Sequence, residues 1–329
     1  MKTAILGAGA WGTAFAVALA TRHTVTLWAR DPAQANAIGT ARRNQRYLPE
    51  VVLPAAVRVT ADLDESISDA GLVVLAAPVA GLRPLAQLLH ERNARTPVVW
   101  LCKGFEEGSG LLPHQVLDDV FGGEAPAWGA LSGPSFALEV AQGLPCALTL
   151  AARDAEFARS TAALLHGGRL RIYYTSDLVG VEIGGAVKNV LAIAVGISDG
   201  MGLGQNARAA LVTRGLAEIQ RLGVALGASA ETIMGLTGAG DLILTATGTL
   251  SRNRKVGLEL AQGKPLDAII ASLGHVAEGV RSAREALRLA ERNQVEMPIT
   301  RAVNEVLEGS TSPGAALEML LSRDPRSEG

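Results

Sequence analysis

One lysine and one asparagine interrupt an otherwise apolar run, GGAVKNVLAIAVG, at residues 184–196. An ammonium in such a segment needs a partner, water or a ligand, because an isolated charge is costly to desolvate. A snorkelling lysine, or one at a domain interface, is the bland reading. The chemical reading makes Lys188 a proton donor and carbonyl polariser, with partial desolvation lowering its pKa and easing transfer. On a helix, Gly184, Gly185, Leu191 and Ala192 share its face, and the glycines allow close approach by a cofactor or a second backbone. Glu182, six positions away, lacks the helical partner spacing. Asn189 is placed to orient the lysine or to cap a neighbouring group.

Other segments carry compatible chemistry. LTGAGDLILT, residues 236–245, reads as a flexible acidic turn, whose Asp241 can accept a hydrogen bond from Lys188 or from substrate hydroxyls, or can cap a helix. SRNRK, residues 251–255, sets Ser251, Arg252 and Asn253 at a helix start, a good phosphate seat if it is more than a solvated charge run. PVVWLCKGFE places Lys103 directly after a strand, and GALSGPSFALE places Gly133, Pro134 and Ser135 between a strand and a helix. Ser135 either caps that helix or joins its N–H groups in facing a ligand oxygen.

GAGAWG, residues 7–12, has Gly7, Gly9 and Gly12 in the G-x-G-x-x-G arrangement. It follows an N-terminal strand and opens an apolar helix, the context the motif requires. Gly7 allows the tight turn, Gly9 lets backbone approach a pyrophosphate, and Gly12 lets helix and sheet pack closely. A glycine-rich turn without a ligand is the alternative, and the loop alone leaves FAD open. At the end of the second strand, WARDP offers Arg30 before Asp31. Arginine can pair with a 2′-phosphate, stack on adenine or face solvent; the lean is towards NADPH being accepted, alongside NADH. The loop through Arg42, Arg43, Arg46 and Tyr47 either encloses the adenosine end or is a solvated basic loop.

The elements that must position these residues fall into two textures. Strand candidates at 2–6, 24–29, 72–78, 97–102, 145–152 and 169–174, with a weaker one at 127–133, alternate with helical segments at 14–20, 80–92 and 155–167. That alternation predicts a mostly parallel, two-faced sheet. Beyond about residue 176 strand-like runs nearly vanish. Residues 178–198, with Asp177 placed as cap, and later segments such as 207–226 have helical spacing, which predicts an all-α second half. The domains expected are a dinucleotide-binding domain, 1–180, and a helical substrate-binding domain, 181–329. The last residues, SRDPRSEG, read as a frayed polar tail.

Composition fits this plan. The chain has 329 residues, 48% of them hydrophobic, enough for two cores, and disorder over a long stretch is not expected. Lys and Arg number 30 against 32 acidic residues, which suggests neither a nucleic-acid footprint nor a polybasic membrane patch. Cys102 and Cys146 lie in apolar runs and read as core residues, and with scattered histidines no metal centre is expected. Residues 183–197 are apolar except at Lys188 and Asn189, and no integral membrane segment is expected. A soluble, cytoplasmic protein is the expectation.

Together the segments resemble the bacterial NAD(P)-dependent glycerol-3-phosphate dehydrogenase family over nearly the whole chain. The resemblance is carried, in order, by GAGAWG, RYLP at 46–49, CKGFE at 102–106, LSGPSFA at 131–137, GGAVKNV at 184–190, SDG at 198–200, NARAALVTRGLAE at 206–218, GAGDL at 238–242, SRNRK, VAEG at 276–279 and EMPIT at 296–300. It implies an α/β fold: an N-terminal Rossmann-like parallel sheet domain followed by an all-helical domain, as in the 6-phosphogluconate dehydrogenase-like architecture. It implies reversible reduction of dihydroxyacetone phosphate to sn-glycerol 3-phosphate with NADH or NADPH, feeding phospholipid synthesis. By the same resemblance Lys188 is the catalytic acid/base, and Lys103, Gly133, Ser135, Asp241, Ser251, Arg252 and Asn253 contact the substrate. Trp11, Arg30, Lys103, Ala137, Arg252, Val276 and Glu278 line the cofactor site beside Gly7, Gly9 and Gly12. Ala10 departs from relatives that carry a serine there, which removes one hydroxyl contact to the pyrophosphate and leaves the backbone donors. A homodimer is compatible with the apolar helix stripes. The rival readings are a β-hydroxyacid dehydrogenase of the 6-phosphogluconate type and a dinucleotide-binding sensor without catalysis.

Overall fold

The computed structural model describes residues 1–273 and 277–322. The expected tail at 322–329 therefore lies, apart from Ser322, outside the described residues. The chain divides into two compact units, Met1–Glu106 with Leu111–Glu182, and Glu107–Gly110 with Ile183–Gly329.

The first unit is built on eight strands: Lys2–Leu6 (β1), Thr24–Trp28 (β2), Val57–Thr60 (β3), Leu72–Leu75 (β4), Val98–Trp100 (β5), Trp128–Ser132 (β6), Cys146–Ala151 (β7) and Leu170–Thr175 (β8). They form one sheet in the order β3-β2-β1-β4-β5-β6-β7-β8. Every neighbouring pair is parallel except β6 and β7. The sequence pattern does not predict β3, a four-residue edge strand whose burial falls away after Val57. Its helices are Ala10–Leu19 (α1), Pro32–Ala41 (α2), Leu63–Ile67 (α3), Leu82–Glu91 (α4), Pro113–Phe121 (α5), Ala137–Ala141 (α6) and Ala155–Leu165 (α7). Pro84 falls in the first turn of α4, where its missing N–H costs nothing.

Successive side chains of a strand point to opposite faces, and the two cores follow that period. Ile5, Leu72, Val74 and Val99 join Phe15 and Leu19 of α1 and Leu165 of α7 in one core. Ala4, Leu6, Val73, Leu75, Val98 and Trp100 join Leu85 and Leu89 of α4 and Leu117 of α5 in the other. With both faces covered, the strands read as continuous apolar runs. Cys146 is buried in the first core, and Cys102, half-buried, packs against the second.

From Ile183 onward the described residues are helical: the rest of Leu178–Gly200 (α8), then Gly204–Ala225 (α9), Ala230–Met234 (α10), Asp241–Thr247 (α11), Arg252–Ala261 (α12), Leu266–Leu273 (α13), Glu278–Arg292 (α14), Pro298–Leu307 (α15) and Pro313–Leu321 (α16). Asp177 accepts a hydrogen bond from the Gly180 N–H at 2.8 Å, so it caps α8 as expected. Residues 181–198 are buried without exception. A helix apolar all round is a core helix, and in this one, although it is long and apolar enough to cross a membrane, 94% of the most apolar 18-residue stretch is buried in the protein.

A buried carboxylate secures a helix start. Glu218 of α9 accepts from the N–H groups of Ile299 and Thr300 at 2.6 and 3.1 Å and from the Thr300 hydroxyl at 2.8 Å, satisfying the first turn of α15. Burial nevertheless pushes its pKa above the ordinary 4.5, outweighing these bonds and the nearby Arg221. The folded state then holds a proton that the unfolded chain releases, so this group's contribution to stability falls as pH rises from about 4.5 through the raised value. In Glu218→Gln that dependence is absent. The melting-temperature advantage of wild type over the variant should therefore shrink between pH 4.5 and neutrality, as parallel thermal melts would show.

Candidate active site

The glycine loop joins β1 to α1. Gly7 has φ +124°, and a Cβ there would lie 2.7 Å from the Ala76 carbonyl oxygen. At Gly12 a Cβ would lie 1.9 Å from the Gly7 oxygen, so only glycine lets α1 pack this closely on the loop. Gly9 is the N-cap of α1, supplies no side-chain cap, and its Cβ would meet nothing within 4 Å. The helix start thus presents backbone N–H groups across a cradle that a side chain would fill, which fits a pyrophosphate. The sequence gives no signal for what braces this loop: buried Asn44 donates to the Ala8 carbonyl at 3.0 Å and to the Thr13 hydroxyl at 2.8 Å, and Gln34 donates to the same carbonyl. Trp11 is half-buried and packs edge-on against Phe15.

At the end of β2, Arg30 is exposed, while Asp31 is the N-cap of α2 and accepts from the Ala33 N–H at 2.9 Å. Part of the basic loop has structural work. Arg42 donates to the carbonyls of Leu53, Pro54 and Val57, and Arg43 to that of Pro49. Arg46 lies over the Tyr47 ring at 5.2 Å.

Three predicted residues meet beyond the carboxyl ends of β5 and β6. Lys103 Nζ and the Ser135 hydroxyl both donate to the Gly133 carbonyl, at 3.0 and 3.1 Å. Gly133 has φ +137°, and its Cβ would press on β7, 3.1 Å from the Ala147 oxygen. Ser135 does not cap the following helix: α6 starts only at Ala137, with Phe136 as N-cap. The chain needs two extra residues to leave the glycine turn before it can coil. Ala137 is half-buried at the first helical position. Glu182, whose spacing excludes it as a helical partner of Lys188, is buried against α5, where it accepts from the His114 N–H at 2.9 Å and contacts His114 Nδ1.

In the helical unit Lys188 is 6% exposed and donates to Asp241 Oδ1 and Thr245 Oγ1, both at 2.7 Å. Asp241 is 1% exposed. GAGDL is no flexible turn: Leu236–Gly240 is a π-helical turn that runs straight into α11. The glycines there serve packing, since a Cβ on Gly238 would lie 1.9 Å from the Ile233 oxygen. Gly184 accommodates the same turn, its Cβ position being 2.8 Å from the Thr237 carbonyl oxygen. Of the two approaches open to Gly184, the one seen is by backbone. Thr245 escapes the motif reading, although its i+4 spacing from Asp241 on a helix is a usable signal.

Asn189 does not orient the lysine. Its Oδ1 accepts from Asn253 Nδ2 at 2.9 Å, and its Nδ2 lies 3.5 Å from Glu278 Oε2. Asn253 Oδ1 in turn accepts from the Gly279 N–H at 3.1 Å, so a buried amide relay ties α8 to the starts of α12 and α14. Ser251 is the N-cap of α12, accepting from the Arg254 N–H. SRNRK is therefore not a plain solvated run: Ser251 and Asn253 are buried, and Arg252 is exposed at the helix start. Val276 lies outside the described residues. Among the described residues no group of three or more His, Cys, Asp or Glu is arranged to hold a metal.

A dinucleotide cradle on a parallel sheet, with a charge-paired lysine inside a helical unit, belongs to the two-domain nicotinamide-dependent dehydrogenases. Family profiles described as the N-terminus and the C-terminus of NAD-dependent glycerol-3-phosphate dehydrogenase match residues 2–158 and 177–318. The chain belongs to that family. It is 60% identical to glycerol-3-phosphate dehydrogenase [NAD(P)+] of Paucimonas lemoignei, covering 100% of this chain and 98% of the relative, and 57% identical to that of Dechloromonas aromatica, covering 100% and 99%. Among solved structures it is similar to glycerol-3-phosphate dehydrogenase from Coxiella burnetii, with a TM-score of 0.93 and 38% identity over 98% of this chain and 99% of that one. A ketopantoate reductase from Ralstonia eutropha shares the fold, with a TM-score of 0.61 at 18% identity over 94% of this chain and 97% of that one.

Proposed function

We propose that the protein reversibly reduces dihydroxyacetone phosphate to sn-glycerol 3-phosphate with NADH or NADPH, supplying glycerophospholipid synthesis. The observation that carries this reading is the buried Lys188–Asp241–Thr245 constellation, within a chain 60% identical over its whole length to an enzyme named glycerol-3-phosphate dehydrogenase [NAD(P)+]. Residues 1–180 bind the coenzyme and 181–329 hold the substrate.

When bound, the nicotinamide would supply the hydride for the ketone carbon. Negative charge develops on the ketone oxygen, and Lys188 stabilises it and delivers a proton there. Asp241 and Thr245 fix the direction in which the ammonium donates. Lys103, steadied by the Gly133 carbonyl, adds positive field and positions the substrate beside Ser135. Arg252 grips the phosphate with the help of Ser251, Asn253 and the first-turn N–H groups of α12. Trp11, Ala137, Val276 and Glu278 complete the coenzyme contacts. Acceptance of NADPH rests on Arg30, which is exposed where the adenosine ribose would lie, while Asp31 is engaged as a helix cap. A cytoplasmic homodimer is the proposed form; light scattering on the purified protein reads the assembly.

The test is oxidation of NADH and NADPH, measured separately, by purified protein with dihydroxyacetone phosphate. Turnover supports the assignment, and the faster coenzyme reports what Arg30 selects. Coenzyme binding without turnover would overturn the substrate assignment and favour the β-hydroxyacid reading, tested on a panel of hydroxyacids.

A further inference from the structure

We propose that Asp199 is a positioning residue for the substrate phosphate, acting through Arg254. The inference rests on the reading of Ser251–Asn253 as the phosphate seat. α8 and α12 touch backbone to backbone along a glycine seam. A Cβ on Gly196 would lie 2.1 Å from the Arg254 oxygen, one on Gly257 2.1 Å from the Ile193 oxygen, and one on Gly200 2.6 Å from the Ala261 Cβ. From Asn189–Asn253 through Gly196–Gly257 to Gly200–Ala261 the contacts advance along both helices in the same direction, so the helices run parallel. A seam of glycines lets helices approach but offers no ridges to resist sliding or rotation. Polar contacts must set the register.

Two such contacts exist. Upstream is the Asn189–Asn253 bond. Downstream is Asp199, whose side chain is 6% exposed and held by two guanidinium groups. Arg254 reaches Oδ2 through Nε at 2.8 Å and Nη2 at 2.7 Å. Arg208 of α9 reaches Oδ1 through Nε at 2.9 Å and Nη2 at 2.8 Å. Arg252 and Arg254 thus divide the labour in one helical turn: Arg254 is committed to Asp199, and exposed Arg252 is left for the ligand. Asp199 lies 11 residues after Lys188 (199 − 188) on the same helix, about 16 Å along its axis at about 1.5 Å per residue. One rigid helix therefore carries both the proton donor and the clamp that fixes the phosphate seat. Without the Asp199–Arg254 contact the register of α12 on α8 rests on Asn189–Asn253 alone, and the seat at the start of α12 loses its fixed position.

Asp199→Asn keeps the size of the side chain and removes the charge. The expected result is a KM for dihydroxyacetone phosphate raised about tenfold, kcat changed less than about threefold and coenzyme KM within about twofold. kcat/KM for the unphosphorylated ketone dihydroxyacetone should stay unchanged. A merely structural role would lower the rate on both ketones alike. Protection against thermal unfolding by inorganic phosphate reads the seat without turnover: wild type should be protected and Asp199→Asn should lose about tenfold in apparent affinity. Arg254→Gln should reproduce the pattern, and it serves if Asp199→Asn does not fold. A phosphate affinity within twofold of wild type in both variants, or equal losses on both ketones, overturns the proposal. A wild type that is protected by phosphate but does not turn over dihydroxyacetone phosphate sinks the functional reading, and the phosphate comparison still decides the role of Asp199.

Discussion

Lys188→Met should lower kcat for dihydroxyacetone phosphate by about 1,000-fold while leaving coenzyme binding near wild type. The size follows from the two jobs given to one ammonium: proton delivery contributes roughly 100- to 10,000-fold, and one lost oxyanion donor costs about 100- to 1,000-fold, the two overlapping because one group does both. Loss of fold is the competing explanation, and it has a known source. Lys188 and Asp241 form a buried pair, and removing one partner strands the other at a cost of about 3 kcal/mol or more. Asp241→Asn added to Lys188→Met removes the stranded charge. The double variant should therefore recover melting temperature and recover no activity. Coenzyme oxidation and thermal melts on the three proteins check this. Activity restored with stability would mean that Lys188 serves the fold alone.

The candidate residues marked by their own stretch of chain are legible in sequence. The glycine loop, Lys103 at a strand end and Lys188 inside an apolar helix each declare themselves by a local mismatch between residue type and surroundings. What stayed hidden depends on chain neighbours far apart. Asn44 reaches a carbonyl 36 residues earlier, and nothing near it marks it as a brace for the glycine loop. Asn189 is legible as an anomaly, but nothing local selects between its two readings, because its partner Asn253 is 64 residues away. GAGDL reads as a flexible turn for a different reason. Glycine signals a turn when read alone, yet at Gly238 and Gly184 it is required by backbone contact under 3 Å from any Cβ. The reversal of β7 against β6 was also out of reach, since the connection across residues 133–145 contains only the single short helix α6 and carries no directional signal.

Gly9→Val and Gly12→Ala should both abolish efficient coenzyme use, for opposite reasons. Gly12→Ala forces a methyl to within 1.9 Å of the Gly7 oxygen and 2.9 Å of the Ala76 Cβ. Neither is the far end of a flexible side chain, so α1 must lift off the loop, and stability falls together with coenzyme affinity. Gly9 has φ −82° and ψ −173°, an extended conformation that valine adopts without strain, and nothing lies within 4 Å of its Cβ position. The fold should lose about 1 kcal/mol or less, the price of a poorer N-cap residue. The valine methyls instead fill the cradle at the start of α1, where the pyrophosphate would accept backbone N–H bonds. Losing one or two charge-assisted bonds of about 1.5–3 kcal/mol each predicts coenzyme binding weaker by about 100-fold. Calorimetric titration with NADH and NADPH, set beside melting temperatures, separates the cases. Gly12→Ala should shift both readouts, and Gly9→Val only the binding. Unaltered coenzyme affinity in Gly9→Val would remove the pyrophosphate from this loop, because that substitution changes the cradle and little else.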